Sequence, residues 1–128
     1  MAMVEPTVDT HGFPFTEGAI KFEVISTDES DPTCATFCIH DEDHTLGNSL
    51  RYMIMKNPAV QFCGYSIPHP SEFKIHVRIQ TDGTTTAAQA LDKGLDDLMA
   101  LCQHVLETFN AKVAARDEYE IREGAEFE

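Results

Sequence analysis

Positive charge is scarce in this sequence. Nine Lys and Arg stand against 22 Asp and Glu, a formal net charge of −13. Holding a phosphate backbone needs clustered cations, and none are found, which argues against direct nucleic-acid binding. No basic cluster of the nuclear-import type occurs. No apolar run approaches 18 residues, so no membrane-spanning helix is expected. No basic-then-apolar leader opens the chain, so a secretory signal is not expected. The four cysteines, Cys34, Cys38, Cys63 and Cys102, form no C-x-x-C pair, which excludes a zinc ribbon. Internal repeats and low-complexity segments are also lacking.

What is present fits one domain. A length of 128 residues allows a single core, and 42% hydrophobic residues is ordinary for a globular chain. The acidity is concentrated at the ends. Residues 1–31 carry a net −6 and residues 116–128 a net −4, which leaves −3 for the body. Acidic ends of this kind read as solvated tails. The expected organisation is a mobile N-terminal tail over 1–19, a folded domain over 20–115 and an acidic C-terminal tail over 116–128. Cys34 and Cys38 would lie four apart on a strand, about 13 Å, too far for a disulfide. The thiols therefore read as reduced and buried, as in an intracellular protein.

Local patterns give six elements. Phe22 and Val24 alternate with polar residues, a strand within 21–27. A turn is expected at Asp28–Pro32, then a strand over Ala35–His40 with Phe37 and Ile39 on one face. Leu46, Leu50, Met53 and Ile54 recur at helical spacing, and Asn57-Pro58 ends that helix. Val60–Ile67 reads as a third strand. Lys74–Thr81 is the clearest strand, with Ile75, Val77 and Ile79 alternating with polar residues. Thr86 caps a helix expected to run to about residue 115. Along it Leu91, Leu95, Leu98, Cys102, Val105 and Phe109 are spaced like a heptad. Such a helix, roughly 45 Å long, exceeds what one small sheet covers. Its free end then either protrudes or docks on another chain. The order strand, strand, helix, strand, strand, helix predicts an α+β two-layer sandwich, a mostly antiparallel four-stranded sheet with both helices on one face.

The densest string is Asp43-His44-Thr45-Leu46-Gly47-Asn48-Ser49-Leu50-Arg51, followed by Phe62-Cys63-Gly64-Tyr65 and His69-Pro70. Thr45 is a good helix N-cap, with Asn48 placed to reach back. Gly47 in the first turn costs up to about 1 kcal/mol relative to Ala. A helix start that carries this cost is expected to press against a neighbour. His40, Asp41, Asp43 and His44 are potential metal ligands, but a strand end followed by a cap lacks the geometry of a helical H-x-x-x-H site. Asp82-Gly83-Thr84-Thr85-Thr86 opens a helix without the Lys and spacing of a P-loop. No nucleophile–base arrangement follows from spacing.

Asp43 to Thr81 resembles the core motif of the small α-like subunits of cellular RNA polymerases, relatives of the N-terminal domain of the bacterial α subunit. Within that family, Leu50-Arg51-Tyr52-Met53-Ile54-Met55-Lys56-Asn57-Pro58 is most similar to the small subunit shared by eukaryotic RNA polymerases I and III. The resemblance covers roughly residues 34–112. It implies the same α+β sandwich and a structural role, with no catalytic residue, cofactor or metal. It implies a heterodimer with the larger α-like subunit, in which the helices of the two subunits pack together. Leu46, Leu50, Ile54, Leu95, Leu98, Cys102, Val105 and Phe109 would then serve both internal and partner packing. Gly47, Asn48 and Arg51 lie at motif positions near subunit contacts. The heterodimer would be a platform for the second-largest catalytic subunit and a small zinc-binding subunit, in the nucleus including the nucleolus. From the residues alone three alternatives stay open. They are the equivalent subunit of RNA polymerase II or an archaeal polymerase, a homodimeric α+β regulatory binding module, and a small metal-dependent enzyme using His40, Asp41, Asp43 and His44.

Overall fold

A computed structural model describes residues 7–8, 14–15, 20–28 and 30–118. Two short strands, β1 (Thr7–Val8) and β2 (Pro14–Phe15), pair antiparallel near the start. The rest of the expected N-terminal tail, and the C-terminal tail beyond residue 118, lie outside the described residues. The main body runs β3 (Phe22–Asp28), β4 (Asp31–His40), α1 (His44–Met55), β5 (Val60–Ser66), β6 (Lys74–Thr81) and α2 (Ala87–Ala114), ending in a short 3₁₀ turn (Ala115–Glu118). The four strands form one antiparallel sheet in the order β3-β4-β6-β5. The α1 crossover therefore carries the chain from β4 to β5 and leaves a slot that β6 fills.

One sheet face is apolar because its strands alternate in register. Ala35, Phe37 and Ile39 stand opposite Ile79, Val77 and Ile75, and Cys63 stands opposite Ile79 from the other side. All seven are buried, together with Leu50 and Ile54 of α1 and Ala87, Ala90 and Leu91 of α2. Both helices thus cover this face, as the sequence pattern predicts. The opposite face carries Thr36, Cys38, His40, His76 and Arg78.

Three local expectations change. β4 begins at Asp31 rather than Ala35, because the β3–β4 pairing extends to Asp28 opposite Asp31 and absorbs most of the expected turn. β5 stops at Ser66. The cap of α1 is Asp43 rather than Thr45: the Asp43 carboxylate accepts from the Thr45 backbone N–H at 2.9 Å. Asp caps as well as Thr does, and Asn48 does not reach back but accepts from Arg51. For α2 the cap is as expected. Thr86 accepts from the Gln89 N–H, and the Gln89 side chain accepts from the Thr86 N–H, a full capping box.

Candidate functional site

α1 presents its buried edge through Gly47, Leu50 and Ile54, spaced three and four apart. Close packing sets which residues fit. A Cβ on Gly47 would lie 2.6 Å from Tyr65 Cδ2 and 2.7 Å from Cε2. The helix start is indeed pressed against a neighbour, and that neighbour is the ring of β5 in the same chain. Tyr65 is itself tied down by its hydroxyl, 2.8 Å from His44 Nδ1. Where the helices cross, Gly94 of α2 is buried, and a Cβ there would overlap Ile54 Cγ1. The sequence reading passed over Gly94. Its signal is a helix-weakening residue set between Leu91 and Leu95 in the apolar stripe.

Beyond the crossing the character of α2 changes. At 28 residues it is roughly 42 Å long. Leu95 and Leu98 are half-buried, and every residue from 99 to 114 is exposed. Six large apolar side chains stand out on this stretch: Met99 at 69% exposure, Phe109 at 64%, Val105 at 57%, with Leu101, Leu106 and Val113. Leu98, Leu101, Cys102, Val105, Leu106 and Phe109 wall one side of a groove of about 750 Å³. Asn48, Ser49, Arg51, Tyr52 and Met53 of α1 wall the other. The α1 wall has a polar rim. Arg51 donates to Asn48 Oδ1 at 2.9 Å, and Ser49 Oγ donates to the Thr45 carbonyl at 2.8 Å. Lys56 lies 4.6 Å from the centre of the Tyr52 ring, a cation–π contact. An apolar floor with a polar rim is the composition of a protein-binding surface.

The expected partner residues therefore divide. Asn48, Arg51, Leu98, Cys102, Val105 and Phe109 line the groove together. Leu46 and Leu95 are half-buried against the core cluster. Gly47, Leu50 and Ile54 are buried in this chain's own core, which is the internal half of the double role expected of Leu50 and Ile54, because the i, i+3, i+7 edge of α1 faces β5 and Gly94. Cys102 departs from the buried-thiol expectation and is exposed. Ser49, Tyr52, Met53, Leu101 and Leu106 were missed as groove residues, although Leu101 and Leu106 widen the heptad stripe in the sequence.

The other chemistry considered falls apart in space. Asp43 is spent on the α1 cap, His44 on Tyr65, and Asp41 takes a left-handed backbone at φ 56°. Among the described residues His40, Asp41, Asp43 and His44 form no ligand cluster. Asp82 is engaged by Thr84, whose hydroxyl and backbone N–H hold the carboxyl below its ordinary range. The Cys63 thiol is pushed up to about 11 by burial, with Arg51 pulling weakly the other way. It stays protonated and unreactive at neutral pH. No described helix is long and apolar enough to cross a membrane.

Residues 34–108 match the RNA polymerase Rpb3/Rpb11 dimerisation domain. The chain belongs to that family. It is 50% identical over 113 residues to the DNA-directed RNA polymerases I and III subunit RPAC2 of Schizosaccharomyces pombe, covering 88% of this chain and 90% of the relative. It is 54% identical over 98 residues to the subunit of the same name from Danio rerio, covering 77% and 88%. Its fold is similar to that of DNA-directed RNA polymerase subunit L from Thermoplasma acidophilum, with a TM-score of 0.64 at 20% identity, covering 76% of this chain and 92% of the other. The matched segment begins within β4 and ends part-way along the exposed half of α2.

Proposed function

We propose that this chain is a non-catalytic core subunit of DNA-directed RNA polymerases I and III. It pairs with the larger α-like subunit, and the pair is the platform on which the second-largest catalytic subunit and a small zinc-binding subunit assemble, in the nucleus including the nucleolus. The observation that carries this reading is the bare apolar half of α2. Leu98, Leu101, Val105, Leu106 and Phe109 are held in a row beside α1, and a contiguous exposed apolar surface of this kind marks an interaction site. The dimerisation-domain match ends at residue 108, so it includes most of that row. The names of the relatives at 50 and 54% identity favour polymerases I and III over polymerase II. The groove has no paired acid and base and no activated nucleophile, which fits a structural role.

In this reading the direct contacts come from Asn48, Arg51, Leu98, Cys102, Val105 and Phe109. Gly47, Leu50 and Ile54 act one layer behind, by fixing where α1 lies. Affinity purification of the tagged chain from its source cells, with mass spectrometry of the co-purifying chains, tests the proposal. Stoichiometric recovery of a larger α-like subunit with components of both polymerases I and III is expected. Recovery of polymerase II components alone, or of this chain only as a homodimer, would overturn it.

A further inference from the structure

The face of the sheet opposite the helices holds a second feature, unrelated to the groove. Cys38 and His40 lie two apart on β4, so both side chains leave the sheet on its outer side. Glu23 of β3 stands opposite Cys38 in the register and shares that side. One ligand atom from each of the three lies within 4.8 Å of the other two. His40 Nε2 is the hub, 3.6 Å from Cys38 Sγ and 3.0 Å from Glu23 Oε2. Tetrahedral zinc with Zn–S near 2.3 Å and Zn–N and Zn–O near 2.0 Å places its ligand atoms about 3.3–3.6 Å apart. The two separations from His40 are already close to that spacing, and the third pair lies within 4.8 Å. Two hydrogen-bonded strands fix it, and the His40 N–H is further anchored to the Lys21 carbonyl at 2.8 Å.

We propose that Glu23, Cys38 and His40 form a binding site for a thiophilic divalent cation, zinc by preference, with the fourth position open to water. A thiolate, an imidazole and a carboxylate together suit zinc rather than magnesium or calcium, which take oxygen ligands. Cys38 is almost wholly buried, which shields a metal–sulfur bond from solvent. His76 stands opposite Cys38 on the same face, and its buried Nε2 has no hydrogen-bond partner among the described residues. This patch of the sheet therefore has more donor and acceptor capacity than its own side chains satisfy. Lys74 is the opposing influence, since its charge is felt at Cys38, but it is ion-paired with Glu72 at 3.4 Å. Binding is balanced by one proton: the Cys38 S–H bond breaks, a sulfur–metal bond forms, and the proton goes to solvent.

The test uses the purified full chain and Co²⁺ as a spectroscopic probe, followed by displacement with Zn²⁺. One Co²⁺ per chain is expected, with a thiolate-to-cobalt charge-transfer band and the visible absorption of tetrahedral cobalt, both abolished by Zn²⁺. Cys38→Ser should remove the charge-transfer band and weaken zinc binding on the order of 100-fold. His40→Gln should weaken it comparably and serves if Cys38→Ser does not fold. Absence of a charge-transfer band in the wild-type chain would overturn the proposal. So would a band that persists in Cys38→Ser, because the sulfur would then belong to Cys34, Cys63 or Cys102.

Discussion

Between Ala87 and Leu98, α2 lies on the sheet and against α1, and its Ala87, Ala90, Leu91 and Gly94 are buried. Between Met99 and Ala114 the same helix, with the same apolar spacing, buries nothing. The two halves share one apolar spacing and differ in what faces them and in the size of the residues that face it. The near half carries small residues, Ala87, Ala90 and Gly94, where another element of the chain comes close. The far half carries Met99, Leu101, Leu106 and Phe109, large side chains, with no Gly or Ala among the groove-lining positions of α2. Small residues mark a surface whose neighbour is already in place. Large exposed ones mark a surface that fills a neighbour's hollow, the pattern of interface anchors.

The sharpest way to break this comparison is to cut one side chain on each side of it. Leu50 is fully buried beneath the helix crossing. Leu50→Ala should lower the unfolding free energy of the chain by about 2–5 kcal/mol, the range for a buried leucine. Urea denaturation followed by circular dichroism would measure it. Phe109→Ala is the counterpart. It should change lone-chain stability by no more than about 0.5 kcal/mol, yet weaken association with the larger α-like subunit by about 2–4 kcal/mol. Titration of the purified partners reads the second number. If Phe109→Ala unfolds the chain as readily as Leu50→Ala does and leaves pairing unchanged, the two halves of α2 are not functionally distinct.

A smaller effect sharpens the comparison at α1. Gly47→Ala should destabilise by about 1–3 kcal/mol, the cost of forcing extra volume into a packed contact, because the new methyl meets the Tyr65 ring. In a Tyr65→Ala background the same change should become neutral or stabilising, since Ala is the better helix former by about 1 kcal/mol. A penalty of equal size in both backgrounds would mean that Tyr65 is not what excludes a side chain at Gly47. The loss belongs to folding first and to pairing only through the position of α1. That places Gly47 on the near side of the divide, where the motif alone put it on the far side.

Much of this was legible in the sequence, and the reasons are specific. Ile75, Val77 and Ile79 alternate cleanly because β6 is central and both helices lie on one face of the sheet. The Thr86 cap could be located because Asp82-Gly83 closes the preceding strand just before it, while its Gln89 partner in the capping box came only with the structure. The length of α2 against one small sheet already required an unpaired stretch. The split of Leu91 to Phe109 into two halves was not legible, since heptad spacing is the same whether the facing surface belongs to this chain or another. The α1 cap went to Thr45 because two good capping residues, Asp43 and Thr45, sit two apart, and only backbone geometry chooses between them. The Glu23, Cys38 and His40 grouping was invisible for a different reason: it depends on the β3–β4 register, which no local pattern fixes.

The gentlest probe of the divide is alkaline pH, because one thiol, Cys63, lies in the core and another, Cys102, lies in the groove. Cys63 sits in the core, where burial raises its thiol from the ordinary 9.0 to about 11. In the unfolded chain the thiol loses its proton near the lower value, while the folded chain keeps it. Stability from this group is therefore fully present below about pH 9 and is lost as pH rises toward 11. Cys38 is raised in the same direction by its own burial, so part of the slope survives when Cys63 is removed. Cys63→Val should accordingly flatten, without abolishing, the fall in unfolding free energy between pH 9 and 11. Cys102, exposed in the groove, should make no difference to that slope when changed to Ser. Equal slopes in the wild type and Cys63→Val would mean that the Cys63 thiol is not held in a dry core. A changed slope in Cys102→Ser would mean that the far half of α2 is already covered in the lone chain, and the contrast between the two halves would have to be given up.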